Sequence, residues 1–237
     1  MCFSAPVSFA AAIFLVPTGL YALQRAWLSD RRWLRLAIFP LLFGIQQLIE
    51  GLLWLNLGGF YPEYTRDSAL GFLFFVYLVW PVLVPLAARA LEERPRQRKI
   101  LLSIALVAGL LGGLLFVSLC LGDAELRVSV VQNSILYQHR PLFDWHWNDW
   151  IARTGYALVV TLPLLATNLP KLRLFGALIA LSLILSAMYF DHAFTSVWCF
   201  FAAILSVYVL RLIQDNARQA SPELTSAPSQ VTQTSQP

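Results

Sequence analysis

Seven long apolar stretches dominate this chain and leave few folds open to it. A helix needs about 20 mostly apolar residues to cross the ~30 Å hydrocarbon core of a bilayer. Hydrophobic residues make up 58% of the sequence and charged residues only 13%, which leaves too few polar residues to cover a water-soluble surface. We therefore predict an all-α fold, a bundle of seven transmembrane helices. The predicted spans cover residues 6–27, 34–57, 69–91, 99–121, 150–168, 172–190 and 193–213.

The basic residues between these spans predict the orientation of the bundle. Thirteen of the 17 Lys and Arg residues fall on one side of it, and four fall on the other. The cytoplasmic loops of membrane proteins carry an excess of Lys and Arg. We therefore expect a protein of the cell membrane with its N-terminus outside and its C-terminus in the cytoplasm. The net charge of +4 does not indicate nucleic-acid binding, because the basic residues stand in short clusters between apolar runs. The four exceptions are Arg66, Arg127, Arg140 and Arg153.

Two segments are predicted to lie outside the bundle. Between the fourth and fifth spans, apolar and polar residues alternate on either side of Asn133 and Ser134, which predicts a small β-hairpin in the outer loop. Such a hairpin could cover a pocket or be a plain solvated loop. After residue 215 the chain is rich in Ser, Thr, Gln and Pro and cannot bury enough surface to fold. We expect a membrane domain over 1–215 and a disordered cytoplasmic tail over 216–237.

Several kinds of membrane chemistry lack the residues they need. A retinal Schiff base requires a lysine within the bundle, but Lys99 and Lys171 both lie at predicted helix ends. A zinc hydrolase would need several histidines in the spans, whereas only His192 borders one. The chain also has no glycine-rich phosphate loop and no Cys-x-x-Cys pair. The sequence therefore predicts no definite group of metal ligands; the residues that could contribute to one are Cys2, His192 and Cys199.

Glu50 is the residue that is energetically least favourable inside a membrane helix. It lies about seven residues, or ~10 Å, inside the outer end of the second span. An ionised carboxylate there is unfavourable unless it is paired, protonated or facing water. Gln47, Glu50 and Trp54 share one helical stripe, with Gln46 beside them. The stripe is expected to face the interior, either as a functional site or as a hydrogen-bonding contact between helices.

The seventh span carries a matching polar face. His192, Ser196 and Cys199 recur at four and then three residues, so they lie on one side of the helix. Cys199 falls at about the depth of Glu50. Trp198 stands next to it and is either a site residue or an ordinary core aromatic. Arg153 near the outer start of the fifth span is a candidate ion-pair partner for Glu50. The candidate ligand-binding residues are Cys2, Gln47, Glu50, Trp54, His192, Ser196, Trp198 and Cys199.

Cys2 stands directly in front of the first span. Lipidation is disfavoured, because only Met1 precedes this cysteine in the sequence and N-myristoylation needs glycine. With Met1 removed, Cys2 would offer a thiol and an α-amino group that can chelate a metal, act as nucleophile and base, or neutralise Glu50. Its reach is about 10 Å, so we expect it at the mouth of the bundle near Cys199 and Glu50. Free thiols are favoured narrowly over a Cys2–Cys199 disulfide, and Cys120 is a third candidate partner.

Three short motifs connect these residues to a family. The chain begins MCFSA, continues with QQLIEGLLW in the second span and has SVWCFFAAILSV in the last. It thereby resembles the bacterial membrane proteins of domain of unknown function 6629, which begin Met-Cys-Phe/Trp-Ser-Ala and end with a Ser-Thr-Trp-Cys helix. Val197 stands where the family usually has threonine. The resemblance implies a site and no particular reaction, and it covers Cys2, Ser4, Gln47, Glu50, Trp54, Ser196, Trp198 and Cys199.

The sequence favours a binding or sensory membrane protein, with a polar pocket in the outer leaflet for an unidentified small ligand or metal ion. A thiol-based enzyme or redox protein is the first alternative. The second is a small-solute transporter, since helices one to three and five to seven run in matching directions about the fourth. A polar path to the cytoplasmic side would favour transport, but the inner halves of the spans are apolar. Whether the protein is an enzyme stays open at this stage.

Overall fold

The computed structural model describes residues 4–122, 126–131, 133–138, 149–189 and 194–225. Over these residues the chain is mostly helical, with one two-stranded sheet. The helices are α1 (Ala5–Ser29), α2 (Leu34–Ala37), α3 (Phe39–Leu57), α4 (Thr65–Phe74), α5 (Trp80–Leu91), α6 (Pro95–Cys120), α7 (Asp149–Leu165), α8 (Pro170–Tyr189) and α9 (Phe194–Thr225). The strands are β1 (Arg127–Val131) and β2 (Ser134–Gln138).

Some of these helices continue one another. A short 3₁₀ turn, α2 and α3 together form the rod Arg31–Leu57, and α4 and α5 belong to the rod Pro62–Leu91. With these joined, the described residues form seven helices, six of them long and apolar enough to cross a membrane. The remaining one, α7, is a shorter apolar helix of 17 residues. Helix α9 reaches Thr225 and so continues past residue 213, where the last span was predicted to end.

Helices α1 and α3 pack against each other in opposite directions, as Phe9 near Gly51 and Val16 near Gly44 show. The contact is closest at Gly19, where an added Cβ would lie 2.5 Å from the Cβ of Leu41. No side chain fits there, so glycine is required for this approach. Helix α9 packs on α1, α3 and α8, and α7 packs on α5 and α8. Helix α6 packs mainly on α5.

A single wide turn separates α4 from α5. Residues Phe75–Val79 form a π-helical turn, in which the Trp80 N–H bonds to the carbonyl of Phe75. Its cause is Pro81, which has no N–H for the carbonyl of Tyr77 and whose ring would clash with that carbonyl in a regular α-helix. Gly112 of α6 lies against the Tyr77 carbonyl, at a place where an added Cβ would overlap the oxygen. The turn sets the position of Trp80 within the bundle.

The predicted hairpin is confirmed, and one of its strands is buried at its beginning. β1 and β2 are antiparallel, and Val131 pairs with Ser134. Asn133 in the turn has a φ of 59°, a left-handed conformation that asparagine tolerates. In β2, Ser134 and Ile135 are buried, whereas β1 is exposed or half-buried. The hairpin therefore inserts its second strand among the helices, and β2 packs on α9.

Candidate polar site around Glu50

The polar stripe of α3 faces the interior of the bundle. Gln46, Gln47 and Glu50 are fully buried, and Trp54 on the same stripe is half-buried. The amide nitrogen of Gln47 donates to Oε2 of Glu50 at 2.9 Å. This bond satisfies one carboxylate oxygen within α3 itself, and Glu50 has a further interaction in the structure.

Aromatic side chains close the site on the side of the N-terminal half of α3. The indole nitrogen of Trp80 donates to Oε1 of Gln46 at 2.8 Å. Phe43, one turn from Gln46, stacks on Trp80 with 3.8 Å between ring centroids, and Phe39 meets the same indole edge-on at 5.7 Å. The three rings form an aromatic layer next to the amide of Gln46.

Helix α9 adds a thiol next to this layer. Cys199 is 1% exposed and carries a free thiol. It lines a small apolar cavity of about 20 Å³ together with Trp80, Phe43 and Trp198, which is room for about one water molecule. Trp198 packs edge-on against Tyr156 of α7 at 5.5 Å. The cavity joins α3, α5, α7 and α9 at a single point beside the polar stripe.

The hairpin closes the site from the opposite side. Tyr137 of β2 stacks on Phe72 of α4, with 5.2 Å between ring centroids and an angle of 6° between the rings. Burial, the charge of Glu50 and the thiol of Cys199 together hold the pKa of the Tyr137 phenol well above its ordinary value. Glu50 of α3, Cys199 of α9 and Tyr137 of the hairpin are therefore electrostatic neighbours.

Several buried polar atoms around this point have no hydrogen-bond partner in the described parts of the chain. The Trp54 nitrogen is a donor, the Gln47 oxygen is an acceptor, and the two tyrosine hydroxyls can act as either. Each such atom costs roughly 1–3 kcal/mol if it stays unpaired, so the site favours a polar guest such as water or a ligand. The atoms are Gln47 Oε1, Trp54 Nε1, Tyr137 Oη and Tyr156 Oη.

The structure brings five of the predicted site residues into one neighbourhood: Gln47, Glu50, Trp54, Trp198 and Cys199. Trp54 joins the group through Val197, the α9 residue against which it packs.

The remaining predicted site residues are not tested by the structure. Cys2 and His192 lie outside the described residues, and so does the side chain of Ser196. Arg153 is half-buried in the first turns of α7, and its pairing with Glu50 stays a prediction. The described residues contain no group of three His, Cys, Asp or Glu side chains that could hold a metal.

Sequence reasoning missed three contributors to the site: Trp80, Tyr137 and Tyr156. Trp80 resembled any membrane tryptophan. Tyr137 could have been found, because the alternation in the hairpin already placed it on the same face as Ile135.

A bundle of long apolar helices around a buried polar centre is the architecture of a helical membrane protein. A family model for the family of unknown function DUF6629 matches residues 1–224. The chain therefore belongs to that family, as the MCFSA, QQLIEGLLW and SVWCFFAAILSV motifs predicted. No curated protein and no solved structure matches it.

Proposed function

We propose that this protein is a seven-helix integral protein of the bacterial inner membrane that binds a small polar ligand or a metal ion, as a binding or sensory protein. The observation that carries the proposal is the set of buried polar atoms around Glu50 that have no hydrogen-bond partner in the described parts of the chain. A bundle that needed only structural contacts would satisfy these atoms within itself.

The charge asymmetry of the loops supports an N-terminus outside and a C-terminus in the cytoplasm. In this orientation the C-terminal half of α3, and with it Glu50, lies toward the outer leaflet. The shorter helix α7 can be the seventh span, because 17 residues of helix are about 25 Å long, close to the hydrocarbon thickness. One outer cation, Arg66, also has a local role, since it donates to the Leu119 carbonyl at the end of α6.

The aromatic layer favours binding over transport. A transporter needs a polar route from the site to the other membrane face, but Phe39, Phe43 and Trp80 fill that direction. Farther along, the described core is formed by apolar residues such as Leu36 and Phe175. The aromatic layer thus separates the polar site from the inner half of the bundle, as a receptor for a ligand from outside would require.

The burial of Cys199 gives the thiol-enzyme alternative less support. A reactive cysteine is usually accessible and held as a thiolate by nearby positive charge. Cys199 is 1% exposed and has the carboxylate of Glu50, not a cation, as a neighbour. A redox role would therefore depend on Cys2, which lies outside the described residues.

The proposal is tested by native mass spectrometry and metal analysis of protein purified from its own membranes in mild detergent. Wild type should retain a small molecule or a metal, and Glu50→Gln should lower its occupancy by about 10- to 100-fold, the effect of losing one charged hydrogen bond. Glu50→Leu should lose the ligand and also be less stable than Glu50→Gln, because the Gln47 amide would be left unpaired.

Ser182→Ala is the matched control. Ser182 is a buried polar residue of α8 whose hydroxyl is satisfied by the Ile179 carbonyl at 2.7 Å, so its removal should leave occupancy unchanged. The proposal is wrong if wild type carries no more ligand or metal than Glu50→Leu does, or if Ser182→Ala lowers the occupancy as strongly as Glu50→Gln.

A further inference from the structure

A second cavity lies at the other end of the bundle, away from Glu50. It is a cleft of about 380 Å³ between the end of α5 and the first turns of α6. Arg89 stands nine residues after Trp80 on α5, so it is about 13 Å farther along the helix than the aromatic layer. The cleft is lined by Arg89, Glu93, Pro95, Arg98, Lys99 and Leu102.

The cleft has an excess of positive charge. Three of its lining residues are cations and one, Glu93, is a carboxylate. Glu93 also acts on Arg32, whose pKa it helps to raise after the larger effect of Asp30. The neighbouring Glu92 does not line the cleft, and its carboxylate forms an ion pair with Arg94 at 2.9 Å.

The cations of the cleft lack partners. Within the described residues no carboxylate forms an ion pair with Arg89, Arg98 or Lys99. Arg98 and Lys99 are exposed, whereas Arg89 is half-buried. The Nε of Arg89 is buried and has no acceptor in the described part of the chain. A buried guanidinium donor without an acceptor is a position at which an anion would be stabilised.

An apolar surface continues from the cleft along α6. Leu102 lines the cleft, and Leu106 and Leu110 follow it at intervals of four residues, on the same side of the helix. Leu106 and Leu110 are each 64% exposed. In a membrane this surface lies against acyl chains. The cleft and the surface together match an amphiphile with an anionic head and apolar chains.

We propose that this cleft binds the phosphate of an anionic phospholipid. Arg89, Arg98 and Lys99 would contact the phosphate oxygens, for which guanidinium and ammonium groups are suitable donors. Glu93 would accept from a hydroxyl of the headgroup, so a phosphoglycerol head fits the lining better than a bare phosphate. The cleft lies on the side that the charge asymmetry places in the cytoplasm, where basic pockets between membrane helices bind such heads.

The test measures retention of lipid and thermal stability of the full-length protein in nanodiscs. One preparation contains phosphatidylcholine alone, one adds phosphatidylglycerol, and one adds phosphatidylethanolamine. A further sample in phosphatidylcholine receives inorganic phosphate. Wild type should be stabilised by phosphatidylglycerol and should retain it in native mass spectrometry, with little effect of the other additions.

The variants identify the residues responsible. Arg98→Gln and Lys99→Gln should each weaken phosphatidylglycerol binding about fivefold, and the double variant about 25-fold, as expected for a surface cation next to an anionic lipid. Glu93→Gln should bind at least as tightly as wild type, since it removes a negative charge. Arg96→Gln is the matched control, because Arg96 is exposed in the same turn of α6 but does not line the cleft.

Each unfavourable outcome overturns the proposal. If Arg96→Gln weakens binding as much as Arg98→Gln, the lipid responds to general surface charge and not to this cleft. If inorganic phosphate stabilises wild type as well as phosphatidylglycerol, the site takes a free anion. If phosphatidylethanolamine is equally effective, net lipid charge is not recognised. Substitutions around Glu50 should leave this lipid binding unchanged, so the two proposals fail independently.

Discussion

Gly112 provides the sharpest test of how α6 packs on the π-turn. A Cβ added at Gly112 would lie 3.0 Å from the Tyr77 carbonyl carbon and overlap its oxygen. Because non-bonded carbons rest about 3.5–4.0 Å apart, α6 would have to withdraw by roughly 1 Å. The neighbouring Gly113 is different, since its added Cβ would lie 3.7 Å from Leu78 Cδ2, an ordinary contact. Gly112→Ala and Gly113→Ala therefore form a matched pair.

The expected difference follows from two opposing terms. Replacing glycine by alanine inside a helix favours the helix by about 1 kcal/mol, so Gly113→Ala should be neutral or slightly stabilising. Overpacking costs about 1–3 kcal/mol, and more when the obstacle is backbone that cannot rotate away. We expect Gly112→Ala to unfold at a temperature about 3–10 °C below that of Gly113→Ala.

The assay is thermal unfolding in a single detergent, followed by the loss of monodisperse protein after heating. The π-turn ends next to Trp80, which donates to Gln46. The displacement of α6 from this turn in Gly112→Ala should therefore also lower ligand occupancy at the proposed Glu50 site. Equal unfolding temperatures for the two variants would refute the proposed close contact between Gly112 and the Tyr77 carbonyl.

Two further predictions concern orientation and pH. Cys120 is exposed at the end of α6, so a membrane-impermeant maleimide should label it in intact cells. Cys120→Ser is the control and should lose this label. Labelling of Cys120 only after permeabilisation would contradict the proposed orientation. The hydrogen bond from Arg94 outweighs the effect of burial and holds the pKa of Glu92 below its ordinary range. Ionised Glu92 therefore contributes its full share of folding stability above about pH 4.3, and this share is lost as the pH falls through the lower pKa of the folded state. Because solvent screens this pair, Glu92→Gln should cost less than about 1 kcal/mol at pH 7, and it should show less loss of stability below pH 4.3 than wild type does.

The helices and the hairpin were predictable because each leaves a local pattern. Apolar runs of about 20 residues identified the helices, and Asn133 between two alternating segments identified the turn of the hairpin. The spacing of Gln47, Glu50 and Trp54 placed them on one face, and the cost of burying Glu50 in lipid required that face to point inward. These inferences need only the periodicity of a single element.

The missing parts of the site depend on contacts between distant segments. Trp80 bonds to Gln46 across 34 positions in the sequence, and nothing local to either residue indicates the pair. The alternation in β2 showed that Ile135 and Tyr137 share a face, but not that this face would enter the bundle. The π-turn was accessible in principle, since Pro81 removes a helical donor, yet the length of the apolar run alone does not distinguish a π-turn from a simple kink.

The buried second strand of the hairpin imposes an order on assembly. A chain is synthesised from its N-terminus, so β2 emerges before α9, the helix on which it packs. Tyr137 can reach its stacking partner Phe72 early, but its approach to Cys199 must wait until α9 has been made. The group of contacts around Glu50 is therefore incomplete in every nascent chain that lacks α9. A premature stop after α8 leaves a chain that keeps its long apolar helices but lacks Cys199 and the contacts that α9 makes with β2.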